Sequence, residues 1–268
     1  MNAKEYISAC IGTVILLIQM STPFAHHNGE HAVTLNTNDK WDDCAMVISP
    51  NLTQSDWKIF TKDIASMLYF RPTAGAKTLG VYKVDIGLEY GITSKFKDYD
   101  PAWNNTFSHP EEDHWLTDNH FLEIPFLSAR MGISEKMDFG LGFAKNIEAN
   151  YGWLSADIKY AITKMKGYDI ATRASYTSLI GVADFDINQG AVDFIISKSF
   201  FSFNPYVGVT AVYTTSNETT SKVVLERIHN MAGETILGAT YQWKYLNVAA
   251  EVDFARVNMY SLKIGAIF

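Results

Sequence analysis

The sequence predicts an all-β chain: a transmembrane antiparallel up-and-down β-barrel of about ten strands, with 8–12 as the bounds, preceded by a short amphipathic helix. Three observations carry this. From Thr78 onward apolar residues recur at every second position, so one face of each segment is apolar and the other mixed. The candidate strands are longer than the five or six residues common in soluble sheets and match the roughly 9–11 needed to cross hydrocarbon at a tilt. Long connections alternate with short ones, as they do between the two mouths of a membrane barrel, except that the third and ninth are also short.

Composition bounds the class. The chain has 268 residues, 13% aromatic and 19% charged, the latter below the ~25% usual for soluble domains. A net charge of −7 gives no support to nucleic-acid binding. Residues 1–25 read as a signal peptide: Lys4 starts it, Ile7 to Met20 forms its apolar run, and Ser21-Thr-Pro-Phe-Ala25 is the expected cleavage region. That run is too short to span a bilayer as a helix. Removal of Cys10 with it would leave Cys44 as the one thiol. Residues 26–54 are polar and are expected to be a periplasmic tail.

The helix is expected within residues 55–75. Trp57, Phe60, Ile64, Met67 and Leu68 recur at helical spacing, Ser55 is placed to cap the N-terminus, and Pro72 and Gly75 end the pattern. Such a helix either covers a mouth of the barrel, lies on the membrane surface, or plugs the lumen. The barrel occupies 76–268, with strands expected at 79–92, 121–133, 137–148, 150–163, 168–181, 189–198, 204–216, 232–244, 247–256 and 258–268. A tight turn at Ser134-Glu135-Lys136 pairs Ile133 with Met137, Met131 with Phe139, Ala129 with Leu141 and Leu127 with Phe143 outside. It pairs Gly132 with Asp138, Arg130 with Gly140 and Ser128 with Gly142 inside. A turn centred on Val257 would pair Phe254 with Tyr260, Val252 with Leu262 and Ala250 with Ile264, and would set Glu251 opposite Lys263 and Asp253 opposite Ser261.

The last strand, Asn258-Met-Tyr-Ser-Leu-Lys-Ile-Gly-Ala-Ile-Phe268, carries Tyr260, Leu262, Ile264, Ala266 and Phe268 on one face. It resembles the C-terminal strand of Gram-negative outer-membrane β-barrels, which closes on Phe. The resemblance implies an outer-membrane location reached through the signal peptide, contact with outer-membrane lipid, and an assembly signal in Tyr260, Leu262, Ile264 and Phe268 read by the barrel-assembly machinery. The stretch Arg130-Met-Gly-Ile-Ser-Glu-Lys-Met-Asp-Phe-Gly-Leu-Gly142 is similar to the periplasmic hairpin of small outer-membrane transport barrels, such as the MetA-pathway phenol-degradation group.

Charges facing lipid at mid-depth cost roughly 2–4 kcal/mol for Arg or Lys, so the charges on the strands must face inward. They are Asp85, Glu89, Arg130, Asp138, Asp157, Lys159, Arg173, Asp193, Glu251, Asp253 and Lys263. Mixed signs argue against strong ion selectivity. Phe139-Gly-Leu-Gly-Phe143 is a strand with lumen-facing glycines rather than a phosphate loop, because no helix follows it. His109, His114 and His120 share a loop with several carboxylates and are the metal candidates, although their spacing fixes no geometry. No cofactor is indicated. A surface protease of the omptin kind would draw on Asp113, His114, Asp118, His120 or His229, but none of that family's motifs surrounds them, and no His falls within an expected strand. The chain is therefore read as a non-enzyme. About ten strands lie near the filled end of barrel sizes, so the first expectation is a narrow porin-like channel for small or hydrophobic solutes. The alternative is a closed structural or surface-interaction barrel whose long loops bind a partner.

Overall fold

The computed structural model describes residues 45–97, 100–108, 121–145, 149–165 and 167–268. The expected signal peptide and most of the expected tail lie outside them. Ten strands close on themselves: β1 (Val84–Thr93), β2 (Glu123–Ser134), β3 (Met137–Lys145), β4 (Gly152–Met165), β5 (Tyr168–Ile180), β6 (Phe185–Lys198), β7 (Phe203–Glu218), β8 (Ile228–Trp243), β9 (Leu246–Phe254) and β10 (Met259–Ile267). Each strand pairs with the next in sequence, and β1 pairs antiparallel with β10 to shut the ring. The seam ends where Val84 and Phe268 exchange both backbone hydrogen bonds, at 2.9 and 3.1 Å. Closure leaves no strand edge unpaired, the condition for carrying strands through hydrocarbon.

Inside and outside alternate as the period of two requires. Leu88, Leu154, Ile158, Val192, Val209, Leu237, Leu262 and Ile264 face outward and are exposed. Tyr82, Tyr168, Phe200, Phe203, Trp243, Tyr245 and Phe268 gather at the mouth that bears the C-terminus, and Tyr90, Tyr176, Tyr213, Phe254 and Tyr260 lie nearer the other. An apolar wall between aromatic girdles is the surface of a membrane-spanning barrel. No helix among the described residues is long and apolar enough to cross a membrane; the strands do the crossing.

The β2–β3 hairpin has the expected register from Leu127↔Phe143 to Gly132↔Asp138. A bulge at Ile133 then sets Ser134, rather than Ile133, against Met137. The β9–β10 hairpin differs by two residues from the expected register. Tyr260 pairs with Val252, Leu262 with Ala250, Ile264 with Val248 and Ser261 with Glu251. A shift of two keeps every side chain on its own face, so alternation does not oppose it. The four-residue connection decides it. Asn258 closes the turn by accepting from the Ala255 amide, and it exchanges two hydrogen bonds with Ser94 of the neighbouring loop. Lys263 therefore faces Ala249, and its ammonium reaches Asp85 on β1 at 2.8 Å.

The helix, α1 (Gln54–Leu68), starts one residue before the expected Ser55 cap. Thr53 is the N-cap and accepts from the Asp56 amide. It lies inside the barrel, where Trp57, Phe60, Ile64, Met67 and Leu68 are fully buried. A short second helix, α2 (Pro101–Asn104), sits in the β1–β2 loop and packs Trp103 edge-on against Phe60. Residues 45–53, expected at the C-terminal mouth, are at the opposite one. Val47 and Ser49 donate to Thr106 and Asn105, Met46 exchanges hydrogen bonds with the Asn150 amide, and Ile48 donates to Asp184. All of these partners are in connections at the loop mouth, far from Phe268. The chain thus enters at the loop mouth, runs down the lumen, and turns into β1 at the far end.

Candidate functional site: the lumen and the segment inside it

The lumen has two zones, and their boundary follows from which inward positions are apolar. Toward the loop mouth Ile124, Phe126, Ala144, Trp153, Leu179, Ile187, Ile228 and Met259 line the wall and form one core with α1, Met46, Ile48, Trp103 and Phe107. Trp57 and Phe60 both meet Phe185 edge-on. Gly142 makes room for this packing, since a Cβ there would sit 2.3 Å from the Phe126 ring.

Below this lies the charged zone. All eleven charged residues singled out from the sequence are buried and face inward: Asp85, Glu89, Arg130, Asp138, Asp157, Lys159, Arg173, Asp193, Glu251, Asp253 and Lys263. The structure links several of them. Arg130 grips Asp157 with two hydrogen bonds, at 2.6 and 2.8 Å. Arg173 bridges Asp157 at 2.9 Å and Asp193. Lys159 pairs with Asp138 at 3.0 Å, and Lys263 with Asp85. Glu251 and Lys263, expected to face each other, do not; Glu251 accepts from the Tyr206 hydroxyl at 2.6 Å.

The end of α1 and the segment that follows it are fastened to this wall by polar contacts. Gln189 donates to the Ala65 carbonyl, and Arg173 to the Phe70 carbonyl and to the Tyr69 hydroxyl. Lys159 donates to the carbonyls of Gly75 and Lys77, Ser197 accepts from the Ala76 amide, and Asp138 from the Leu79 amide. Arg71 bridges the end of α1 to the wall. Its guanidinium donates to the Ser66 and Met67 carbonyls, which the helix leaves unpaired, and forms an ion pair with Asp253 at 2.9 Å. Thr73 holds a left-handed backbone (φ 38) that a β-branched residue rarely adopts. Its amide donates to Glu251 and its hydroxyl to Glu89.

Two charged participants were missed in the sequence. Arg71 was read as the tail of a helix, and only its position in the lumen gives it a role. Glu234 faces inward because it alternates with Ile236 on the buried face of β8, which begins at Ile228, four residues before the expected start. The signal was present in the alternation Ala232-Glu234-Ile236-Gly238, but the adjacent Ile236 and Leu237 obscured it.

Tyr260, Leu262, Ile264 and Phe268, expected to form an assembly signal, all lie outward and exposed on or beside β10. The metal candidates His109, His114 and His120 lie outside the described residues, as do Asp113 and Asp118. Among the described residues no three His, Cys, Asp or Glu side chains are placed to hold a metal ion. Contrary to expectation, one strand does carry a His: His229, on β8, shares a 2.8 Å hydrogen bond with Tyr213 on the exposed face.

No family model and no curated protein matches this sequence. Solved structures do. The chain is similar to Ail, the attachment invasion locus protein of Yersinia pestis, with 11% identity and a TM-score of 0.31 over 70% of this chain and 99% of that one. It is similar to an outer-membrane channel from Pseudomonas putida F1, with 6% identity and a TM-score of 0.44 over 75% of this chain and 100% of that one. It is also similar to the outer-membrane protease OmpT of Escherichia coli, with 9% identity and a TM-score of 0.31 over 71% and 97%.

Proposed function

We propose that this chain is an outer-membrane barrel whose lumen is a narrow path for small solutes, shut in this state by residues 45–83. The single observation that carries the reading is the way the segment below α1 is held. Residues 69–79 are fastened mainly through side chains of Arg173, Lys159, Ser197, Asp138, Glu251 and Glu89, and their apolar packing is confined to Phe70 on Phe126 and to Tyr69 and Ala76. Such contacts exchange for water at small net cost, since a protein–protein hydrogen bond is worth only ~0.5–1.5 kcal/mol over its hydrated alternative. A charged, hydratable wall is what a solute path needs once the segment shifts. The apolar zone above offers a first resting place to a hydrophobic solute.

A membrane-spanning barrel with an apolar exterior between aromatic girdles and an even strand number supports an outer-membrane location, with the C-terminal mouth in the periplasm. A second reading, a closed structural or surface-interaction barrel, is favoured by the complete burial of Trp57, Phe60, Tyr69 and Arg173, which leaves the lumen filled.

The test is a reversible tether. Cysteines replace Ala76 and Ser197, whose amide and hydroxyl are 3.0 Å apart, in a chain lacking Cys10 and Cys44. In planar bilayers the reduced protein should show channel events and the oxidised protein none. Silence in both states, and in a chain lacking residues 26–79, would favour the closed barrel.

A further inference from the structure

Among the described residues, four basic side chains are buried on the inner face of the strands, and each has a strand carboxylate: Arg130 with Asp157, Lys159 with Asp138, Arg173 with Asp193, and Lys263 with Asp85. Four buried strand carboxylates remain: Glu89, Glu234, Glu251 and Asp253. They form one arc, on β1, β8 and β9. Register places Asp253 opposite Ile236 and Glu251 opposite Gly238 on β8, and only β10 separates Glu251 from Glu89. No strand cation forms an ion pair with this arc: Lys263, the register partner of Glu89 on β10, is turned to Asp85. The only cation paired with it comes from the segment inside the lumen: Arg71, on Asp253. Thr73 adds two further donors, to Glu251 and Glu89.

The segment leaves the arc incompletely satisfied. Glu234 is 4% exposed, faces inward within electrostatic reach of Asp253 and Arg71, and its Oε2 has no hydrogen-bond partner. Oε1 of Glu251 and Oδ1 of Asp253 are buried and unpartnered as well. The Arg71–Asp253 pair is short in distance, yet its two atoms do not align as a hydrogen bond. Buried carboxylates without partners are costly to keep in a wall that serves only to be filled. The group that suits the arc is spread out, cationic and rich in N–H donors. A compact metal ion is a poor fit, since no three carboxylates converge on one point.

We propose that the arc of Glu89, Glu234, Glu251 and Asp253 is a binding site for small solutes bearing a guanidinium or ammonium group, which Arg71 and Thr73 occupy as an internal stand-in. The solute's route to the site rests on the channel reading; the site itself does not. Displacing the segment would expose four carboxylates against one neighbouring strand cation, Lys263, which is already held by Asp85, so the open path would favour cations. This departs from the weak selectivity that the mixed signs of the sequence suggested, because the strand bases are all engaged elsewhere.

The test is rescue of an Arg71→Ala full-length protein by ethylguanidinium chloride, with ethylurea as the neutral probe of the same shape. Ethylguanidinium at tens of millimolar should raise the variant's melting temperature by about 3 °C or more, and ethylurea should not. If the variant does not fold alone, the refolded yield with each additive is the readout, and ethylguanidinium should raise it severalfold over ethylurea. Adding Glu234→Gln, which touches no contact of the inserted segment, should reduce the rescue by at least half. Equal effects of the two additives, or no effect of either, would overturn the site. Planar-bilayer recordings separate the two proposals. Selective rescue in a protein that never conducts would reject the channel and leave the site standing, whereas conduction that is not cation-selective, without rescue, would reject the site alone.

Discussion

Arg173 is the most heavily used side chain in the lumen, and replacing it with Met gives a calculable loss. It is fully buried and serves Asp157, Asp193, the Phe70 carbonyl and the Tyr69 hydroxyl. In Arg173→Met, Asp157 keeps both hydrogen bonds from Arg130. Asp193 keeps no cation, since its neighbour on β7 is Thr210. One stranded buried carboxylate puts the cost at about 3–5 kcal/mol. Adding Asp193→Asn removes the stranded charge. The double variant should therefore regain about 2 kcal/mol relative to the sum of the two single losses. Equilibrium urea unfolding from lipid vesicles, followed by tryptophan fluorescence, gives all four corners of the cycle. A loss under about 1 kcal/mol for Arg173→Met, or strict additivity in the double variant, would refute the ledger of lumen charges.

Two further outcomes are expected. Cysteines at 251 and 261, in a chain lacking Cys10 and Cys44, should form a disulfide across the β9–β10 ladder, because those positions face each other; preferential crosslinking of 251 to 263 would show the register to be wrong. Phe268→Ala should sharply lower the amount of heat-modifiable barrel recovered in outer membranes, because it removes the exposed aromatic of the last strand while the backbone exchange with Val84 can persist; normal levels would remove Phe268 from the assembly signal.

The sequence carried the wall well and the lumen's contents poorly, for a physical reason in each case. Period-two alternation fixes which way Asp85, Glu89 or Lys263 points, because a slip of one residue would put charge into hydrocarbon. A slip of two leaves that pattern unchanged, and a short turn centred on Val257 then sets Glu251 opposite Lys263, a pairing that the chain does not make. The real constraint, Asn258 against Ser94 and Arg256 against Asp63, spans 164 and 193 residues and has no local signature. The helix was legible from Trp57, Phe60, Ile64, Met67 and Leu68, but its surroundings were not. Thr61, Asp63 and Ser66, on the polar side, are buried too. A polar face normally signals solvent; here part of it signals a polar environment inside the protein, with Asp63 accepting from the Trp103 indole.

The inserted segment and the barrel seam are one structural problem. Before Val84 joins β10, the chain must leave the lumen through the turn at 79–83, where Gly80 has φ +90 and Tyr82 φ +62. The Gly80 carbonyl passes so close to β2 that a Cβ on Gly132 would lie 1.8 Å from its oxygen, so only glycine lets the chain through. The Tyr82 amide then donates to the Gly132 carbonyl, and the Gly132 amide to that of Lys83, which aligns β1 for its nine pairs with β10. The turn that starts β1 and the seating of residues 69–78 on the lumen side thus share the same Gly132 contacts. Opening, by the same geometry, moves the chain above Leu79 and leaves the turn at 79–83 in place.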